Sequence, residues 1–296
     1  MVSRVEILEI SKSLVQSLLD EQHPDLAPLD LRLVDGGWDN QQWRLGDELA
    51  VRMPRTPRAP GLLRTEQQWL PVLAPRLPLP IPTPVRIGEP SEQFPRTWTI
   101  TTWVAGEPAD RAPITSQSDA EVLAGFLKAL HQDAPADGPT SSSRGVSLKE
   151  AGGFDEWISF APVDQVGRLR EIWADAVAAP DWDRPPVWVH GDLHPANVVT
   201  SNGALAGVID FGDLSIGDPA TDLAAAWVLL PEGAATPFLT AYGADAPTIR
   251  RARGWAALRA LMLLSIGEAG RKNLRGGKST WHPAGTATIN RLLASG

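Results

Sequence analysis

Asp192, Asn197 and Asp210 are the side chains whose types and spacing point most directly to chemistry. Val187-Trp188-Val189 is a short apolar run ending in His190-Gly191-Asp192, and Pro195 keeps the next residues out of any regular element, so Asp192 sits on a loop. Downstream, Val198-Val199-Thr200 and Leu205 to Ile209 flank Ser201-Asn202-Gly203, a strong hairpin signal. Paired antiparallel, these strands return Asn197, which enters the first, and Asp210, which leaves the second, to the same end of the hairpin. One carboxylate and one amide oxygen converging there suit magnesium, a hard cation that keeps several waters and shares a substrate's phosphates. Asp192 lies on the loop beside that metal. Phosphoryl transfer needs a metal across the phosphates, a carboxylate to receive the attacking hydroxyl's proton, and a cation on the phosphates that stay behind. The carboxylate need not be a strong base, since a loose transition state places more weight on orienting the hydroxyl.

The elements that must position these groups follow from the hydrophobic pattern. Val2 to Leu19 has near-helical spacing and ends at His23-Pro24. From Leu29 to Met53 the pattern becomes strand-like, with turns at Asp35-Gly36-Gly37 and Gly46-Asp47, which predicts an antiparallel meander. In its third run Leu49, Val51 and Met53 share one face and Arg52 takes the other. After Gly61, the residues Leu62, Glu66, Trp69, Leu70 and Leu73 fall on one face of a helix. A carboxylate on that apolar stripe needs a partner, and Arg52 is the economical one; a helix-edge Glu66 in solvent is the alternative. Pro78 to Pro84 reads as an extended connection, with strands at Val85 to Ile87 and Thr97 to Val104. Gly106 and Pro108 mark a boundary, after which helices are expected near 118–132, 165–179, 218–230 and 247–270. A β-rich part over 1–104 and a mainly helical part over 105–296 predict two lobes of an α+β protein.

Composition narrows the classes. The chain has 296 residues, 43% apolar and 21% charged, which describes an ordinary globular protein. It has no cysteine, which excludes disulfides, thiolate zinc sites and a cysteine nucleophile, and fits a reducing cytoplasm. Arg4, Glu6, Glu9 and Lys12 interrupt the first apolar residues, so neither a signal core nor a spanning helix can be drawn there. The net charge of −8 disfavours nucleic acid as a partner; it suits a cationic partner or simple solubility. No membrane contact is expected, and the oligomeric state is not legible. Most of the 12 tryptophans sit in apolar patterns, as Trp69 and Trp227 do, and read as core.

His190-Gly191-Asp192-Leu193-His194-Pro195-Ala196-Asn197 followed by Asp210-Phe211-Gly212 resembles the catalytic core of the aminoglycoside phosphotransferase family, which is related to the protein kinases and includes macrolide phosphotransferases. The resemblance runs from about Leu31 to Trp255. It implies a bilobal, protein-kinase-like α+β fold, and a kinase that moves the γ-phosphate of ATP or GTP to a hydroxyl of a small molecule. Asp192 would be catalytic, and Asn197 and Asp210 would hold Mg2+. Arg52 and Glu66 match the family's strand-to-helix ion pair, although kinases usually carry lysine where this chain has Arg52, and the two cations present different donors. The turn with Gly36 and Gly37 falls where the nucleotide-covering loop would be. It lacks the three-glycine spacing, so phosphate-cradling amides and a plain hairpin turn both stand. Thr102 to Val104 would be the hinge that holds the nucleotide base. His190 and Asp222 would brace the catalytic loop, while Asp218 reads as a helix cap and His131 as a helix-terminal or core histidine.

The acceptor has no readable motif. Asp155, Glu156, Asp213 and Glu268 could receive ammonium groups of an aminoglycoside or macrolide, or could be surface charges, and Trp281 could stack in a substrate cleft. Antibiotic resistance, a sugar, amino-sugar or amino-alcohol kinase, and a catalytically silent nucleotide-binding regulator all remain open at this point.

Overall fold

The computed structural model describes residues 8–35 and 37–295. Gly36 lies outside the described residues, as do Val2 and Val5 of the expected first helix. The chain forms two compact units: one holds the chain up to Pro75 together with Pro80–Val104, the other Arg76–Leu79 and the chain from Ala105 on.

The first unit is built on a five-stranded antiparallel sheet. Strands β1 (Leu31–Val34), β2 (Asn40–Leu45) and β3 (Leu49–Pro54) form the expected meander, and β4 (Pro84–Gly88) and β5 (Trp98–Thr102) complete the order β1-β2-β3-β5-β4. One face packs Leu31, Trp43, Leu45, Val51, Met53 and Ile100 against Val15, Leu18 and Leu19 of helix α1 (Lys12–Gln22). That helix starts later than the apolar spacing suggests. Ser11 caps it by accepting the Leu14 N–H, while Leu8 and Ile10 are tied sideways, through Leu8 N–H to Arg55 O and Ile10 to the Gln41 amide. Backbone groups already used this way cannot join a helical ladder. Helix α2 (Ala59–Leu73) packs beside β3 and β5, and its stripe buries Leu63, Leu70 and Leu73 with Glu66 among them.

In the second unit a three-stranded antiparallel sheet orders as β6-β8-β9, from β6 (Glu107–Pro108), β8 (Val198–Ser201) and β9 (Ala204–Val208), and β7 (Val187–Val189) pairs with β10 (Ser215–Gly217). Around them lie α3 (Asp119–Leu130), α4 (Leu148–Ala151), α5 (Phe154–Trp157), α6 (Val166–Val177), α7 (Ala220–Leu223), α8 (Ala225–Val228), α9 (Ala235–Tyr242), α10 (Ala246–Arg271) and α11 (Trp281–Ala294). The single helix expected near 218–230 divides at Ala224 into α7 and α8. Helix α11 was not legible in the apolar pattern because Gly285 and Thr288 share its buried face with Ile289 and Leu292. Small residues let it approach α10 closely: a Cβ on Gly285 would stand 2.9 Å from Ala260 O. Of the tryptophans, Trp43, Trp98, Trp188, Trp227 and Trp255 are core, and Trp38 is exposed. No helix among the described residues is long and apolar enough to cross a membrane.

The hairpin β8–β9 forms as its residues dictate. Asn202 and Gly203 make a two-residue turn with φ of 51° and 77°, the left-handed pair that matches strand twist. Gly203 also accepts the Thr115 N–H, and a Cβ there would meet Thr115 Oγ1 at 2.4 Å. Gly203→Ala is therefore expected to destabilise the protein by about 1–2 kcal/mol, the cost of a side chain in the left-handed region, as read from urea unfolding.

Candidate active site

Loop 190–197 is held from below by one buried carboxylate. Asp222, with no exposure, accepts the backbone N–H of His190 at 2.6 Å on Oδ2 and that of Gly191 at 2.9 Å on Oδ1. His131, at the C-terminal end of α3, approaches Asp222 Oδ2 with Nε2 at 3.1 Å, and its Nδ1 meets the Tyr242 hydroxyl at 2.9 Å. Burial, with Asp222 nearby, pushes the Tyr242 hydroxyl up, so it stays neutral. Burial alone would raise the Asp222 carboxyl, but the hydrogen bond and charge of His131, with His190 and the Gly191 amide, outweigh it and lower the value. His190 braces the loop from the other side. Its Nδ1 accepts the Asp192 N–H at 3.2 Å and its Nε2 donates to Ile209 O at 3.0 Å.

Asp192 is the focus of these constraints. Its Oδ1 takes Arg259 Nη1 at 2.6 Å and Arg144 Nη2 at 3.0 Å. Its Oδ2 has the looser neighbours, Asn197 Nδ2 at 3.3 Å and His194 Nε2 at 3.4 Å. Burial would raise this carboxyl, yet Arg259, His194 and Arg144 together hold it well below the usual carboxylate range. Gly191, at φ 81°, makes the tight approach that the loop needs, for a Cβ there would stand 2.7 Å from Asp213 O.

Asn197 and Asp210 lie at the same, open end of the hairpin. Asn197 O accepts the Ile209 N–H at 2.9 Å, so Asp210 is one residue past the last pair of the ladder. Asp210 adopts left-handed φ 62° and ψ 70°, which turns the chain out of β9 into the 3-10 turn Phe211–Asp213. Asn197 commits its amide nitrogen to Asp192 O at 3.0 Å, which orients Oδ1 as its remaining ligand atom. An amide oxygen and a carboxylate form the hard, partial ligand set that magnesium accepts. Among the described residues no group of three His, Cys, Asp or Glu side chains forms a metal cage.

In the first unit, Arg52 Nη1 and Glu66 Oε2 lie 2.5 Å apart, each side chain only 3% exposed, so the expected strand-to-helix ion pair is present and the solvated alternative for Glu66 is not. Gly37, at φ 69°, lies in a turn fastened by Arg55, whose Nη2 donates to Gly37 O and Nε to Trp38 O, and by the ion pair of Arg58 with Asp39. At the end of β5 the Thr102 N–H goes to Thr83 O and the Trp103 N–H to Glu48 O. A base-binding role there would have to use Val104 and the backbone carbonyls.

A family description, Phosphotransferase enzyme family, matches residues 30–261. The chain belongs to this family. The motif resemblance read from the sequence is thus borne out. Aminoglycoside 3'-phosphotransferases of Escherichia coli and Salmonella typhimurium are each 27% identical to this phosphotransferase-family chain over 52% of its length. The match spans 61% of those relatives' own length. Among solved structures, the GDP complex of aminoglycoside 2'-phosphotransferase-IIIa superposes with a TM-score of 0.69 at 19% identity, covering 97% of this chain and 99% of that one. The macrolide 2'-phosphotransferase of Brachybacterium faecium gives 0.58 at 23% identity, covering 93% and 98%. These likenesses establish the fold, and the expected α+β, kinase-like class stands.

Of the substrate-directed expectations, two join the network around Asp192. Asp213 faces Arg144 at 3.4 Å, and the Trp281 ring packs on His194 with centroids 4.5 Å apart. Glu268 does not join it. That side chain pairs with Lys272 at 3.2 Å and Arg271 at 3.6 Å on the last turns of α10. Asp155 is engaged by Arg170 on an exposed surface. Asp218, expected as the cap, stands one residue before the N-cap Pro219; it accepts the Ala220 N–H and pairs with buried Arg251 at 2.6 Å.

Arg144, Arg259 and His194 are the members of the site that the sequence did not reveal. Arg259 left a usable signal, since an arginine inside the apolar run Trp255 to Leu264 needs a buried partner. Arg144 left none. Its loop is placed by a local turn, Ser141 Oγ accepting the Arg144 N–H, and by a distant bond, Gly145 O accepting the Asp218 N–H.

Because the folded Asp222 carboxyl is depressed, its stabilising effect is complete above the unfolded value of about 3.9 and is lost as pH falls through the folded value. Asp222→Asn is expected to cost about 3 kcal/mol near neutrality, as two loop amides and His131 lose a charged acceptor. The deficit relative to the parent protein should shrink below about pH 4, as followed by urea unfolding across pH.

Proposed function

We propose that this protein moves the γ-phosphoryl group of a nucleoside triphosphate, ATP or GTP, directly to a hydroxyl of a small molecule. The observation that carries this reading is the carboxylate of Asp192 on a braced loop, tied to Asn197, with Asp210 at the same end of the adjoining hairpin.

The roles follow from chemistry. Arg259 and Arg144 fix Asp192 by Oδ1, so Oδ2 is the atom that accepts the hydrogen bond of the incoming hydroxyl. A carboxyl so depressed is a weak base, and that suffices: in a loose transition state the hydroxyl proton leaves late, and alignment of its oxygen with phosphorus dominates. The acceptor oxygen forms its bond to the γ-phosphorus as the bond to the β–γ bridging oxygen breaks, and the proton passes to Asp192. Asn197 and Asp210 would hold Mg2+, which supplies neutralising charge for the donor's phosphates. Arg52, positioned by Glu66, steadies the phosphates that leave with the nucleotide, and its fork can clamp two oxygens at once. Backbone amides near Gly36 and Gly37 cover the phosphates, and the hinge at Thr102 to Val104 receives the base. His190 and Asp222 act through the loop.

The relatives named for aminoglycosides and a macrolide make an antibiotic hydroxyl one class of acceptor. A cysteine-free chain of this composition suits work in the cytoplasm.

Asp192→Asn should leave nucleotide affinity nearly unchanged while lowering acceptor-dependent turnover by roughly 100-fold or more. Equal turnover in the two proteins would rule out this mechanism, and nucleotide binding with no turnover in either would favour a regulatory module. Arg52→Lys is expected to weaken nucleotide binding and kcat together, because a point charge keeps attraction to phosphate yet loses the fork that Glu66 positions. Titration calorimetry with each nucleotide, beside steady-state rates, separates these effects.

A further inference from the structure

Within the first unit, the turn that runs from Gly37 into β2 is bound at several points to the strap Pro54–Arg58, which joins β3 to α2. Three successive carbonyls of the turn face the strap. Gly37 O accepts Arg55 Nη2 at 3.0 Å and Trp38 O accepts Arg55 Nε at 3.2 Å. Asp39 O accepts the backbone N–H groups of Arg55 at 2.9 Å and Thr56 at 3.3 Å. The Asp39 carboxylate continues the contact: Oδ1 takes the Thr56 hydroxyl at 2.5 Å, and Oδ2 takes Arg58 Nη2 at 2.6 Å. The strap is anchored in its turn, since Arg96 donates to Pro54 O at 3.1 Å and to Thr56 O at 3.3 Å, and Arg55 O accepts the Leu8 N–H at 3.0 Å. Arg52 stands two residues before the strap, and the helix that follows it carries Glu66. The turn is thus fastened to the stretch of chain that bears the Arg52–Glu66 pair.

These bonds have a geometric consequence. In a planar trans peptide the N–H points opposite to the C=O of the same unit. With the carbonyls of Gly37, Trp38 and Asp39 drawn to the strap, the amides of Trp38, Asp39 and Asn40 are turned away from it, a run of donors of the kind that receives phosphate oxygens. The Asp39 carboxylate is at odds with such a ligand, because its negative charge opposes the approach of phosphates. Its side chain is only 11% exposed and is forked by Arg58. Its contribution is to hold the turn, not to meet the nucleotide.

We propose that Asp39 is a positioning residue for the phosphate donor: clasped to Thr56 and Arg58, with Arg55 holding the neighbouring carbonyls, it keeps the amides of the turn in place before the nucleotide arrives. This assignment rests on the phosphotransfer reading above, which puts the donor's phosphates under this turn. Donors ordered in advance spare the complex the entropy of ordering them on binding.

The test titrates the full-length parent protein, Asp39→Ala and Asp39→Asn by calorimetry with ATP and GTP in the presence of Mg2+, and with adenosine and guanosine, thermal unfolding being recorded for each protein. The two effects of the substitution have opposite signs. Removing a carboxylate near the triphosphate tightens binding through Coulomb attraction, whereas releasing the turn weakens it. Asp39→Ala is expected to raise the triphosphate Kd roughly tenfold, as for a turn that holds its cradling form about a tenth of the time, and to leave the nucleoside Kd unchanged. Asp39→Asn keeps an acceptor for Thr56 and should fall between the parent protein and Asp39→Ala. If Asp39→Ala does not fold, Asp39→Asn alone decides, by a rise in triphosphate Kd at constant nucleoside Kd. A triphosphate Kd that is unchanged or lower in the folded variants, or a nucleoside Kd that rises by the same factor, would overturn the assignment and leave the phosphotransfer reading standing. Binding of neither triphosphate to the parent protein would overturn that reading, and this assignment with it.

Discussion

The second unit depends on a problem of charge: several carboxylates are buried beside one loop, and each must find a cation or a row of N–H donors. Asp222 is the deepest of them. With no contact to water, it can stay ionised only because it accepts the His190 and Gly191 amides and the ring of His131. Those bonds in turn fix the backbone from which Asp192 projects. The loop adds bonds of its own, such as Asn197 Nδ2 to Asp192 O and the Asn197 N–H to His194 O, to the hold of the carboxylate beneath it. The left-handed glycine at 191 and the ring of His190, which closes back on the Asp192 amide, complete the clamp.

Above that base the two oxygens of Asp192 have become different atoms. One is saturated by guanidinium groups, and the other has only longer-range neighbours. The same asymmetry recurs at Asn197, where the amide nitrogen is spent on the Asp192 carbonyl and the oxygen is turned away. The protein has therefore used its own donors to decide which acceptor atoms remain for chemistry. Orientation of this kind costs no reorganisation at the moment of reaction.

Much of this was legible in the sequence, for reasons that differ from residue to residue. The hairpin could be read because Asn202-Gly203 encodes its turn between two apolar runs, and its pairing puts Asn197 and Asp210 at one end of it. The Arg52–Glu66 pair was legible because a carboxylate on an apolar stripe demands a nearby cation. Other features depend on contacts between residues far apart in the chain. Arg144 and Arg259 stand 48 and 67 positions from Asp192; the apolar run around Arg259 shows that it needs a partner, but not which one. The start of α1 was misplaced since apolar spacing extends past Ser11, whereas the cap and the side bonds of Leu8 and Ile10 end the helix there. Helix α11 escaped because Gly285 and Thr288 interrupt the buried face they share with the apolar Ile289 and Leu292, which weakens the hydropathy pattern.

Helix α10 carries two of the buried arginines, Arg251 beneath Asp218 and Arg259 beneath Asp192. Eight residues of α-helix separate them by about 12 Å and a little over two turns. The helix thus works as a gauge with two fixed marks, setting the spacing between the carboxylate of Asp218 and that of Asp192. Side chains between the marks can drift in evolution as long as they pack. A one-residue insertion or deletion there could not be absorbed in the same way, since it would swing one guanidinium through about 100° and out of reach of its carboxylate.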